Sequence, residues 1–117
     1  MDERILKWLY DIKFALEEIN SYFDGKEKNF AEYQKNTMLK RAIERDLEII
    51  GEAVNRILKK DATFISEISD SQAIIGLRNQ VIHGYDSISD ENIWSIIINH
   101  IPKLNNEIDK LIAKNKS

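Results

Sequence analysis

Apolar residues in the first segment fall at Ile5, Leu9, Ile12, Leu16, Ile19 and Phe23, in alternating steps of four and three. Such steps place side chains on one face of a helix, so residues 2–23 are predicted to form a helix buried along a single stripe. Asp24-Gly25-Lys26 breaks it, because glycine readily takes the left-handed conformation that ends helices. A short helical piece over 29–35 follows. The next stripe is Leu39, Ile43, Leu47, Ile50, Val54, Ile57 and Leu58. Its good helix formers and lack of proline predict a second long helix over 37–59.

Lys59-Lys60-Asp61 leads into Phe64, Ile65 and Ile68, whose apolar side chains predict a loop pinned to the core. Ser69 or Ser71 is placed to cap a third helix carrying Ile74, Leu77 and Val81. That helix is expected to stop at His83, since Gly84 stands at the terminating position, which puts Tyr85 just past its end. Ser89, with Asp90 and Glu91 in the first turn, caps the last helix. This helix carries Ile93, Ile97, Ile101, Leu104, Ile108 and Leu111, and Pro102 inside the stripe predicts a bend near residues 98–101. Gly51 within the second helix costs roughly 1 kcal/mol of propensity, which close helix packing would explain. With no strand-like alternation, no repeat and short connections, the pattern predicts an all-α antiparallel bundle. It has four main helices plus a short extra one, and forms a single domain over residues 1–117 with a frayed tail at 113–117.

Composition narrows the class. A chain of 117 residues can bury a core without disulfides or a structural metal. Its 43% hydrophobic and 32% charged residues, mixed in sign, argue against disorder. The absence of cysteine excludes a disulfide framework, a thiolate zinc site and a cysteine nucleophile, and fits a reducing compartment. The start Met-Asp-Glu-Arg is too interrupted by charge for a signal peptide or membrane span, so a cytoplasmic protein with no membrane partner is expected. A net charge of -3 means that any nucleic acid must meet a local cluster of cations, or a groove between two copies. His100 and His83 lie on different elements without a carboxylate cluster, a poor zinc signature, and His100 is given no role. No metal and no cofactor are expected. Trp8 and Trp94 read as core or interface anchors before they read as base-stacking platforms. No glycine-rich phosphate loop, Ser-His-Asp order or paired-aspartate nucleotidyltransferase signature is present.

The candidate chemistry lies in Gly76-Leu77-Arg78-Asn79-Gln80-Val81-Ile82-His83-Gly84-Tyr85. Arginine offers a fixed fork of donors that matches phosphate oxygens, and histidine gives or takes a proton near neutral pH. The two are a minimal kit for cleaving a phosphodiester. A regular helix separates Arg78 and His83 by about 140° after one full turn, so it does not stack them. Either Arg78 reaches round, or the helix unwinds near Gly84, or the second Arg and His come from a twin chain. Asn79 and His83, four apart, share a face, so the amide could orient the imidazole. Taken singly, each reads more readily as structural, Arg78 as a surface ion-pair partner, His83 as a helix-end cap and Tyr85 as a half-buried aromatic, so the functional reading rests on their combination. Arg41, Arg45, Glu48, Glu52 and Arg56 line the polar side of the second helix. A solvated face laced with ion pairs is the simpler reading, with Arg45 and Glu48 as candidates for a cleft.

Arg78, His83 and Tyr85 together resemble the RX4HXY signature of HEPN-domain ribonucleases, in particular the HepT-like toxins. DIKFALEEINSYF, RAIERDLEIIGEAVNRI, LRNQVIHGYDSI and IWSIIINHIPKL are similar to the corresponding HepT-like segments in the same order. The resemblance implies a HEPN-like bundle that forms a homodimer and joins two motifs in a composite RNA-cleaving cleft. It implies a metal-independent endoribonuclease in which His83 transfers protons and Arg78 steadies charge on phosphorus, with Asn79 and Tyr85 supporting. It further implies a toxin neutralised when an MntA-like nucleotidyltransferase antitoxin attaches AMP to Tyr85. The competing reading is a non-catalytic helical partner of a nucleotidyltransferase that binds protein or nucleotides. A plain dimeric interaction bundle is the third.

Overall fold

Asp2 starts the first helix: its carboxylate accepts from the N–H groups of Arg4 (2.7 Å) and Ile5 (3.3 Å), two donors that a helix start leaves unpaired. In the computed structural model, which describes residues 1–82 and 89–116, this helix is α1 (Glu3–Tyr22). Gly25 follows with φ of 69°, the left-handed conformation that glycine adopts without a Cβ penalty. Asn29 caps the short α2 (Phe30–Lys35). Asn36 then ends α2 and caps α3 (Thr37–Lys60), its side-chain oxygen accepting from the Leu39 N–H (3.0 Å). A 3-10 turn (Ala62–Ser66) leads to α4 (Ser71–Ile82).

The last helical course runs as α5 (Asp90–Ser95), a π-turn (Ile96–His100) and α6 (Ile101–Lys116), with helical backbone angles at both junctions. Ser89 caps it, accepting from the Asn92 N–H (3.1 Å). The predicted bend thus takes the form of a widened turn. Pro102 has no N–H for the Ile98 carbonyl and its ring crowds that group, and the Ile101 N–H reaches back five residues to Ile96. The course then stays helical through Lys116, beyond Ala113, where the sequence alone predicts fraying. Leu111 and Ile112 are buried there, and Lys114 bonds Glu67 across to the turn before α4.

The capping of α4 differs from expectation. Ser71 is the first helical residue and is itself buried, its hydroxyl without a hydrogen-bond partner among the described residues. Ser69 instead commits its N–H (3.2 Å) and hydroxyl (2.7 Å) to Glu107 of α6. Asp70 precedes the helix, and its carboxylate takes His100 Nδ1 (2.6 Å) and Lys103 Nζ (3.0 Å). Partners from the last course win over the local cap, so His100, given no role by sequence, ties α4 to the π-turn.

No strand occurs among the described residues, and the architecture is the expected all-α bundle: α1, α3, α4 and the α5–α6 course, with α2 as the extra helix. Lys60 meets Asp2 (3.6 Å) while Tyr22 meets Asp46 (3.1 Å), which fixes α1 and α3 as antiparallel. α3 packs between α1 and α4, and α1 also packs on α6. Leu9, Ile12, Leu16 and Ile19 of α1 and Ile43, Ile50, Val54 and Ile57 of α3 lie in one core, which Ile97, Leu104 and Ile108 complete. Each such side chain contributes about 1.5–3 kcal/mol on burial. Trp94 is a core anchor, with ring centroids 5.2 Å from Tyr33, 5.7 Å from Phe30 and 6.0 Å from Phe23. Trp8 packs partly buried against the same core. Among the described residues no helix is long and apolar enough to cross a membrane.

Candidate active site

Ile74 and Leu77 bury one side of α4, and Val81 is half-buried one turn on. Arg78 follows Leu77 and so emerges at the edge of that buried face, at the seam with α3. Gly51 makes the seam narrow. A Cβ at residue 51 would overlap the Arg78 Cβ and lie 2.8 Å from its Cγ and 3.2 Å from the Ile74 carbonyl oxygen. The cost of a helical glycine is thereby explained as the close approach of two helices.

The guanidinium of Arg78 is held on two sides. One Nη donates to a Glu52 carboxylate oxygen on α3, and the other to the Asn79 side-chain oxygen at 2.7 Å. The other Glu52 oxygen accepts from Arg56 Nε at 2.9 Å. Arg78 retains 21% side-chain exposure, so its cationic head is accessible, while its Nε is buried without a hydrogen-bond partner among the described residues. A fork positioned in this way presents a fixed positive charge, the geometry suited to phosphate oxygens.

Of the other sequence candidates, His83 and Tyr85 lie outside the described residues. Asn79 is on α4 and exposed, with its oxygen engaged by Arg78; the pairing with His83 that its spacing suggests also lies outside them. Arg45 is exposed and Glu48 half-buried on α3. Steps of three, four and seven place both on the stripe that carries Glu52 and Arg56. The ion-pair reading of that stripe holds for Arg41 with Glu44 (2.8 Å) and for Arg56 with Glu52. Glu52 fits that reading through Arg56 and goes beyond it, since its second carboxylate oxygen reaches across helices to Arg78. Its neighbour Gly51, a costly residue in mid-helix, was the signal that something passes close at that point. Among the described residues no group of three or more His, Asp or Glu side chains could hold a metal ion.

Comparison with known proteins agrees with the family resemblance. A protein of Caldanaerobacter subterraneus named "Putative RNase" is 32% identical over 108 residues, covering 92% of this chain and 90% of its own. Two proteins of Methanocaldococcus jannaschii bearing the same description are 33% and 35% identical, covering 87% and 90% of this chain and 91% and 84% of their own. No solved structure is a significant match. The sequence profile of the family described as Ribonuclease HepT-like matches residues 12–111, which take in α3, α4 and the Arg78 seam, and the chain therefore belongs to that family.

Proposed function

We propose that the chain is a metal-independent endoribonuclease. The RNA 2′-hydroxyl attacks the adjacent phosphorus, the bond to the 5′ oxygen breaks, and a 2′,3′-cyclic phosphate and a free 5′-hydroxyl result. The hydroxyl proton is lost and one proton is delivered to the leaving oxygen, both within the reach of histidine chemistry, for which His83 is the candidate. Arg78 would steady the negative charge that builds on the phosphoryl oxygens. The observation that carries this reading is the Arg78 guanidinium, fixed yet accessible at the α3–α4 seam, in a chain of a ribonuclease family.

The rest of the reading follows the motif. Two copies would pair so that both motifs share one cleft, which answers the separation of Arg78 and His83 around a helix. Arg45 and Glu48 would border that cleft. As a cytoplasmic toxin, the protein would be silenced by a nucleotidyltransferase antitoxin that attaches AMP to Tyr85, since a bulky anion beside His83 blocks the cleft and repels RNA.

Single-stranded RNA incubated with chelator present tests the core of it. The wild type is expected to cut, and Arg78→Ala and His83→Ala to lose about a hundredfold or more of the rate. Intact RNA with the wild type, or equal cutting by both variants, removes the catalytic assignment and leaves a binding role. Light scattering is expected to give a dimer, and a monomer at working concentration counts against the shared cleft. Intact mass after co-expression with a nucleotidyltransferase should gain AMP units that vanish in Tyr85→Phe; an unchanged wild-type mass removes the modification.

A further inference from the structure

We propose that Glu52 is a positioning residue of the site, acting through Arg78. This rests on the ribonuclease reading above. A guanidinium on a flexible stem loses rotamer freedom when it engages phosphate, and an arginine fixed beforehand loses less. Four features on two helices fix Arg78 in this way. Gly51 lets α4 approach α3 until the Arg78 stem lies against the α3 backbone. Glu52, the next residue, then takes one Nη. Asn79, the next residue on α4, takes the other at 2.7 Å. Arg56 bonds the remaining Glu52 oxygen at 2.9 Å and keeps that carboxylate from swinging away, while adding a second cation beside the first.

The chemistry favours positioning over masking. Glu52 shares its single charge between two arginines, so the Arg78–Glu52–Arg56 group keeps a net positive charge facing the solvent. Arg78 and Arg56 retain 21% and 56% side-chain exposure, and a phosphate can meet them without displacing the carboxylate. Glutamate at 52 thus directs the fork outward at the cost of part of its charge.

Single-turnover cleavage of a labelled single-stranded RNA at saturating protein, using wild type, Glu52→Gln, Arg78→Ala and the double variant, reads this directly. Glu52→Gln is expected to lower the saturated rate about tenfold or more with RNA affinity changed by less than about threefold, since misorientation costs rate more than binding. The double variant is expected to be no slower than Arg78→Ala, because Glu52 acts through Arg78. A Glu52→Gln variant as fast as wild type or faster, or losses that multiply in the double variant, overturns the proposal. Arginine side-chain NMR supplies a readout that does not depend on cleavage. Hindered rotation of the Arg78 guanidinium is expected in wild type and free rotation in Glu52→Gln; free rotation in wild type also overturns it. If the wild type leaves RNA intact, the ribonuclease reading fails and its positioning role with it, while the NMR signal still decides whether Glu52 fixes Arg78.

Discussion

Gly51 of α3 stands directly against the Cβ of Arg78 on α4, and the absence of a side chain at 51 is what lets the arginine lie along the seam. The relationship joins stability to the proposed site, because the contact that packs α4 against α3 also sets where the cation emerges.

Gly51→Ala is expected to destabilise the fold by about 1–3 kcal/mol, the usual cost of overpacking, partly offset by roughly 1 kcal/mol of improved helix propensity. Urea unfolding followed by circular dichroism measures it. An alanine variant more stable than wild type would mean that α4 withdraws without cost and that the seam is loose.

Asp46 sits 2% exposed on α3 with Tyr22 Oη 3.1 Å away, and burial pushes its carboxyl up to about 6. The Tyr22 hydroxyl, 2.8 Å from Glu18 and 3.1 Å from Asp46, has one proton to divide between two carboxylates, so its hydrogen bond offsets only part of the burial of Asp46. The ordinary value of 3.8 applies once the chain unfolds, so between these two values the folded state holds a proton that the unfolded state releases. Stability from this residue is therefore full below the lower value and declines as pH rises through about 6. Asp46→Asn is expected to flatten that decline and to gain on the order of 1–2 kcal/mol at pH 7, allowing for solvent in the shallow groove that Asp46 lines with Phe14, Glu18 and Ile49. Denaturation midpoints from pH 4 to 8 read the difference; parallel curves for variant and wild type would refute it.

Asp70 behaves in the opposite sense. The hydrogen bond from His100, followed by Lys103, holds its carboxyl below the usual carboxylate range. Its stabilisation is present above the unfolded value of 3.8 and is lost as pH falls through the lowered folded value. Asp70→Asn is expected to cost about 1–2 kcal/mol at neutral pH, with the gap from wild type closing in acid. A gap that persists unchanged at pH 2–3 on the same thermal-melt series would place the cost elsewhere.

Arg45 offers a salt-dependence test of the proposed RNA path. Binding of single-stranded RNA to a His83→Ala chain, followed between about 50 and 200 mM salt, is expected to weaken when Arg45 becomes Ala. The logarithmic salt slope should fall by about 0.7, the loss of one phosphate contact. An unaltered slope would place Arg45 off the path.

The helices themselves were legible from periodicity, because a buried stripe recurring every three to four residues has one economical solution. α1, α3 and the final course lie within a few residues of their predicted bounds, and the four-helix class follows from them. The segments that resemble HepT-like sequences also pointed to the ribonuclease family, and the family match over residues 12–111 agrees with that. Ser69 and Ser71 show where local reading failed: a cap is a short-range contact, and here Glu107 on α6 competed for the Ser69 groups while Ser71 was drawn into the helix itself.

Sequence alone determined which residues could be buried, where helices begin and break, and which side chains are candidates for proton-transfer and phosphate chemistry, since these depend on residue type and on spacing along one chain. Only the tertiary structure decided that Glu52, 26 residues before Arg78, is its partner. That contact requires two helices to meet at one register, set by the packing of Gly51 against Arg78 and of Ile74 and Leu77 into the core. No periodicity within either helix contains it.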